Sequence, residues 1–165
     1  MRQNRAMRVT ARADYAVRAA IELVGATMDE PRKADSIAVA QSIPISFLEN
    51  ILNQLKSAGL VRSRRGPDGG WWLQRKPETL ALADVIRAVE GPLASVRGER
   101  PENLAYDGSA ESLQEVWVAL RANIRAVLEH VTVADVARGK LPRRVVSLAR
   151  PPTAWASGPQ LPGQP

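Results

Sequence analysis

Apolar residues at Ala13, Ala16, Val17, Ala20, Ile21 and Val24 recur at three- and four-residue steps, so residues 10–25 predict an amphipathic helix. Thr10 is placed to cap its start and Gly25 to end it. Asp14 and Arg18 add an i,i+4 ion pair in the favourable orientation. Residues 26–34, with Pro31 inside, read as a loop. Residues 35–41 predict a short helix with Asp35 or Ser36 as its cap. Ser42-Ile43-Pro44 is a tight break, because Pro44 disfavours helix at Ile43 and itself suits a first helical turn. From Pro44 to Ser57 the helical period returns, with Phe47, Leu48, Ile51, Leu52 and Leu55 as the apolar face and Gly59 as the stop. Two helices joined by a three- or four-residue turn are the skeleton of a helix-turn-helix.

The pattern then changes. Leu60-Val61-Arg62-Ser63-Arg64 and Trp71-Trp72-Leu73-Gln74 are short strand-like runs, separated by the turn-rich segment Arg65-Gly66-Pro67-Asp68-Gly69-Gly70. A β-hairpin directly after a helix-turn-helix is the order of elements in a winged helix, and its tip is basic. The helical period resumes over residues 80–90, with Leu82, Val85, Ile86 and Val89 on one side and Gly91-Pro92 as the stop. Residues 91–110 are irregular. Residues 112–129 predict the longest helix, where Leu113, Val116, Trp117, Leu120, Ile124, Val127 and Leu128 share a face. Thr132 and Asp135 have the spacing of a capping box for a short final helix. Residues 139–165 hold 6 of the 12 prolines and little apolar content, and are expected to be disordered.

Charge refines this picture. The chain of 165 residues carries 23 Lys+Arg and 17 Asp+Glu, for a net charge of +6. Residues 1–76 hold 13 basic and 7 acidic side chains, whereas residues 77–138 hold 6 basic and 10 acidic. The last 27 residues hold 4 basic and no acidic ones. A basic first half suits a polyanion such as nucleic acid. No run approaches the length of a membrane span, and the basic N-terminus lacks a following apolar stretch, so neither membrane insertion nor a signal peptide is expected. The chain has no cysteine, which excludes disulfides, cysteine nucleophiles and thiolate-held metals, and its single histidine, His130, makes a histidine-built metal site or catalytic triad improbable. His130 is read as a helix C-terminal residue.

Four stretches in order resemble the IscR/NsrR type of bacterial winged-helix regulators, the Rrf-two family. They are Met7-Arg8-Val9-Thr10 with Asp14-Tyr15-Ala16-Val17, Ile45 to Leu52 followed by Ala58-Gly59-Leu60-Val61, Ser63 to Leu73, and Val85 to Pro92. The resemblance implies a mainly α fold: a winged helix-turn-helix plus a long C-terminal dimerisation helix. It divides the chain into an extension (1–6, family members starting at the methionine matching Met7), a DNA-binding domain (7–92), an effector-type loop (93–110), a dimerisation region (111–138) and the tail (139–165). Many relatives place three cysteines in that loop and bind an iron–sulfur cluster. This chain has none there, so the resemblance points to the cluster-free branch, with no cofactor and no metal ligands.

The expected function is a cytoplasmic, homodimeric, sequence-specific transcription regulator, more readily a repressor than an activator, that binds double-stranded DNA at an inverted repeat. No catalytic constellation suggests an enzyme. Ser46, Glu49, Asn50 and Asn53 form the polar face of the third helix. Ser46 suits a phosphate or base, Glu49 a cytosine amino group, and Asn50 or Asn53 an adenine. The resemblance makes Glu49 the base-reading glutamate and Arg65 the wing arginine of the minor groove, where narrow A·T-rich sequence strengthens the potential. Arg62 and Arg64 suit phosphates, and Gly66, Gly69 and Gly70 permit a tight tip. Leu113, Val116, Leu120, Ile124 and Val127 are the dimerisation residues, since paired half-sites call for a two-fold dimer. Tyr106 and Trp117 are candidates for a pocket for an unknown small-molecule or protein effector, although Trp117 suits the core better than the pocket. The alternative is a winged-helix module that chiefly docks a protein.

Overall fold

The computed structural model describes residues 9–156, and its elements follow the predicted order. Helix α1 spans Ala11–Glu22, α2 Ala34–Gln41 and α3 Ile45–Ser57; strands β1 (Val61–Arg64) and β2 (Gly70–Leu73) form the hairpin; α4 spans Leu82–Glu90, α5 Leu113–Leu128, α6 Val133–Ala137 and α7 Arg143–Ala149. The fold is mainly α with one two-stranded antiparallel sheet, a winged helix. The expected 1–6 extension and the last nine residues lie outside the described residues.

The core forms around α1, which packs against α2, α3, α4 and α6. Ala13, Ala16, Ala19 and Ala20 are buried, with Leu23 behind them. The apolar face predicted for α1 is thus rotated: Ala19 and Leu23 join it, and Val17, Ile21 and Val24 are only half-buried. Small side chains on three sides let neighbouring helices approach closely, so α1 is enclosed more widely than a single stripe. Thr10 caps α1 by accepting from the Ala13 N–H at 3.0 Å, and its hydroxyl donates to Glu90 Oε1 at 2.7 Å, tying the start of α1 to the end of α4. The Asp14–Arg18 pair forms at 2.8 Å.

Helix α2 starts one residue earlier than predicted. Its cap residue is Lys33, without a side-chain cap, and neither Asp35 nor Ser36 serves as one. Leftward turning at Ser42 (φ 51°) ends α2, and the Ile43 N–H reaches back to the Ala38 carbonyl at 3.0 Å. This break swings α3 away from α2, and Leu48, Ile51, Leu52 and Leu55 of α3 bury into the core. The predicted capping box at α6 is present: Thr132 Oγ1 accepts from the Asp135 N–H at 3.1 Å, and Asp135 accepts from the Thr132 N–H at 2.8 Å. The Thr132 N–H, first, and the Thr132 side chain hold the Asp135 carboxyl below the ordinary range.

Two further expectations need correction. Residues 143–149 of the supposedly disordered tail form α7, followed by a short turn at Pro152–Ala154. The prolines flank the helix rather than interrupt it: Pro142 precedes α7 and Pro151 follows it. Phe47 is the second correction. It leaves the apolar face of α3 and is 62% exposed.

The end of α5 is held to α4 by charge. Glu129 accepts from Arg125 Nε at 2.9 Å and from the Arg87 guanidinium. These two arginines, Arg125 first, pull its pKa from 4.5 to about 2. A carboxylate with a depressed pKa stabilises the fold above its unfolded-state value and loses that contribution as pH falls through the folded one. Glu129→Gln is therefore expected to flatten the acid limb of stability between about pH 5 and pH 2. Thermal unfolding across that range checks this; identical acid sensitivity in both proteins would exclude the contribution.

Candidate nucleic-acid interface

Burying Leu48, Ile51, Leu52 and Leu55 turns the opposite side of α3 outward, and Ser46, Glu49, Asn50 and Asn53 are all exposed there. The structure brings these four predicted residues together along one helix. Phe47 stands at the edge of the same surface, facing α1. Arg12 of α1 donates to Gln54 of α3 at 3.2 Å, so this edge is bridged by a polar contact.

On the other edge lies the wing. Residue pairs Val61–Leu73, Arg62–Trp72, Ser63–Trp71 and Arg64–Gly70 set its register. Strand alternation turns Val61 and Ser63 inward and leaves Arg62 and Arg64 exposed. Two clamps set where the wing sits. Lys56, at the end of α3, donates to Ser63 Oγ at 2.8 Å and lies 5.9 Å from the Trp71 ring centroid. Behind β2, Arg32 and Trp71 exchange backbone hydrogen bonds of 2.9 and 2.8 Å, so part of the predicted 26–34 loop is a strand-like bridge. The Arg32 guanidinium then meets Glu22 of α1 at 2.9 Å.

At the tip, Gly66 has φ 104°, a conformation other residues rarely adopt, and Gly69 donates to the Gly66 carbonyl at 3.0 Å. A Cβ on Gly69 would lie 2.2 Å from the Arg64 carbonyl oxygen, so only glycine closes this turn. Arg64 donates to the Asp68 carbonyl at 3.0 Å and braces the tip from within. Arg62 and Arg65 are exposed. Sequence reasoning missed Lys56, Arg12 and Arg32. Lys56 follows Asn53 by three residues on the outer side of α3, a spacing that was available as a signal; the partner of Arg32 depends on the tertiary fold.

Comparison with known proteins follows the same lines. Residues 9–139 match the family described as Rrf2, Iron-dependent Transcriptional regulator. The chain belongs to the Rrf2 family. It is 48% identical over 143 residues, covering 87% of this chain and 89% of the relative, to the putative HTH-type transcriptional regulator Rv1287 of Mycobacterium tuberculosis. It is 30% identical to the HTH-type transcriptional regulator CymR of Bacillus subtilis, covering 79% of this chain and 90% of that one. The solved structure of CymR, the global cysteine regulator of B. subtilis, superposes with TM-score 0.68 at 28% identity, covering 81% and 98% of the two chains. T. potens IscR superposes with TM-score 0.65 at 30% identity, covering 81% and 88%. This Rrf2 chain is thus a DNA-binding transcriptional regulator of the helix-turn-helix type, and the relatives it matches are regulators rather than enzymes.

The iron in the family description does not fit thiolate ligation here, because the sequence has no cysteine. No group of three or more His, Asp or Glu side chains is placed to hold a metal among the described residues. The 93–110 loop is attached to α5 by polar contacts instead. Gln114 donates to the carbonyls of Pro101 and Glu102 at 3.4 and 3.2 Å, and Arg121 pairs with the Glu102 carboxylate, holding that carboxyl below its ordinary range. Tyr106 is half-buried with the Arg97 guanidinium 5.9 Å from its ring centroid. Trp117 is half-buried on α5, and its Nε1 is enclosed without a hydrogen-bond partner among the described residues.

The Gly69 contact makes a direct prediction. Gly69→Ala should open the wing turn while sparing the helices. Amide hydrogen exchange is expected to accelerate in Val61–Arg64 and Gly70–Leu73 and to stay unchanged in α1 and α3. Unchanged protection in the hairpin would mean that the Arg64 carbonyl can yield.

Proposed function

We propose that this protein is a homodimeric, sequence-specific repressor that reads an inverted repeat, with α3 in the major groove and the wing tip in the minor groove, and that it acts without an iron–sulfur cluster, in the cytoplasm. The observation that carries the reading is the outer face of α3 with the exposed arginines beside it. Four short polar side chains stand in a row, and Lys56 and the backbone bridge at Arg32 hold Arg62 and Arg65 to one side. Short polar side chains early in a recognition helix read base edges, whereas wing arginines reach phosphates and the minor groove.

The surface of α5 supports the dimer. Its 16 residues include none that is buried in the single chain, with Val116 55% and Val118 41% exposed. Leu113, Leu120, Ile124 and Val127 are only half-buried. An apolar helix in this condition needs a partner, and a second copy supplies the symmetry of an inverted repeat. Absence of cysteine supports cluster independence, leaving control to an effector acting on the 93–110 loop and α5 near Tyr106 and Trp117. No helix among the described residues is long and apolar enough to cross a membrane.

Selection of bound sequences from a random duplex pool tests the reading. It should return paired half-sites in opposite orientation. Glu49→Ala is expected to change the preferred sequence while retaining affinity, because it removes a base contact and a charge that repels phosphate. Arg65→Ala should cost about 1–3 kcal/mol on the selected site and relax its A·T preference, whereas Arg62→Ala weakens all duplexes alike. A pool returning no common sequence would overturn the proposal.

The dimer has its own check. Leu120→Asp combined with Ile124→Asp should sediment as a monomer and lose most of its affinity for the paired site, while retaining helical content. An intact dimer would place the interface elsewhere.

A further inference from the structure

The outer surface of α3 holds one side chain that its polar neighbours do not explain. Phe47 is the only phenylalanine in the chain. It lies in the first turn of α3 and is 62% exposed, whereas Leu48, Ile51, Leu52 and Leu55 of the same helix are at most 2% exposed. It stands outside the hydrophobic core cluster and the half-buried residues packed on it. A large aromatic ring left in water forgoes one of the larger burial contributions available to any side chain. Its position next to base-reading candidates gives that exposure a use.

The ring forms a wall of a cleft of about 400 Å³ between α1 and α3, lined also by Arg12, Tyr15, Ser46, Asn50 and Ile51. The walls are aromatic and aliphatic at Phe47, Tyr15 and Ile51, while Arg12, Ser46 and Asn50 supply polar groups. That combination suits an apolar group carried by a polyanion. Of the base-edge groups exposed in the major groove, the thymine 5-methyl is the apolar one, and an aromatic side chain is among its suitable contacts.

We propose that Phe47 reads the 5-methyl group of one thymine in each half-site, using the α1–α3 cleft as its subsite. This rests on the reading of α3 as the helix in the major groove. Charge favours DNA as the occupant over a second copy of the chain: Arg12, a cation, is the one charged side chain among the described residues that line the cleft. Continuity favours it too, since Ser46 and Asn50 belong both to the cleft and to the outer row of α3. Loss of one buried methyl contact corresponds to a change of about fourfold in affinity.

The experiment uses the full chain and the duplex obtained by selection. Each thymine is replaced singly by deoxyuridine, which removes the methyl and leaves base pairing and the minor-groove edge intact. For the unmodified protein, one thymine in each half-site is expected to show about a fourfold loss on replacement. Phe47→Ala should bind the thymine and deoxyuridine duplexes equally, and Phe47→Leu should retain part of the difference. Indifference of the unmodified protein to every replacement would overturn the proposal while leaving the DNA reading intact. So would a Phe47→Ala protein that keeps the full difference. Conversion of Phe47→Ala to a monomer in sedimentation would assign the face to a second copy and equally overturn it. Failure of the unmodified protein to bind any selected duplex would remove the DNA reading along with the subsite.

Discussion

Close packing around α1 is the constraint on which the rest of the molecule depends. Ala13, Ala16, Ala19 and Ala20 carry almost no side-chain bulk, so α3, α4 and α6 approach the α1 backbone from different sides. Interiors packed to this density transmit volume changes rather than absorbing them. A larger residue at Ala16 or Ala19 would move α3, and with it the whole outer row from Ser46 to Asn53. The placement of polar groups on the surface is therefore decided by methyl groups in the interior. Leu48, Ile51, Leu52 and Leu55 complete this by fixing the rotation of α3 about its own axis.

The wing depends on the same core at one remove. A two-stranded hairpin alone is marginal in water. Here it is joined to α3 through Lys56 and Ser63, to residue 32 through two backbone hydrogen bonds, and to α1 through Arg32 and Glu22. Glu22 also accepts from Gln41 at the end of α2 at 2.6 Å, so one carboxylate joins the wing base to the helix-turn-helix. Arg62 and Arg65 thus project from a supported platform. A guanidinium whose base is fixed loses less freedom on meeting a phosphate or groove, which is the general advantage of preorganisation.

Legibility in the sequence followed the range of the interactions. Local ones were readable: the Thr10 cap, the Asp14–Arg18 pair, the Thr132–Asp135 capping box and the tight tip at Gly66–Gly69 each depend on residues a few positions apart. The polar row of α3 was readable because helical periodicity separates its faces. Features set by distant residues were not. The rotation of α1 toward Ala19 and Leu23 depends on helices that arrive later in the chain, and the Arg32 bridge depends on β2. Phe47 was misassigned because periodicity treats every apolar residue as a core residue, whereas this one stands at the edge of the stripe. Prolines misled at α7, because composition counts them and cannot tell a flank from an interruption.

The same distinction bears on how a chain without cysteines holds the loop before α5. A cluster ligated by thiolates would clamp such a loop by strong, directional bonds from few residues. Here the attachment is distributed: Gln114 holds two carbonyls, Arg121 holds the Glu102 carboxylate, and Pro101 and Leu104 are buried beneath. Each contact is individually weak, and the Glu102 carboxylate is partly exposed, so its pairing is screened by solvent and salt. A loop held this way can be released by modest differential binding, since an effector shifts an equilibrium only by its difference in affinity for the two arrangements. Ala94 and Arg97 hold positive φ angles of 50° and 53° within that loop, a backbone arrangement that non-glycine residues keep only where surrounding contacts impose it. Strain in the loop and weakness in its attachment act in the same direction. They place a strained, weakly attached segment beside α5, the helix with no buried residue in the single chain, where a small displacement alters the surface that a second copy would meet.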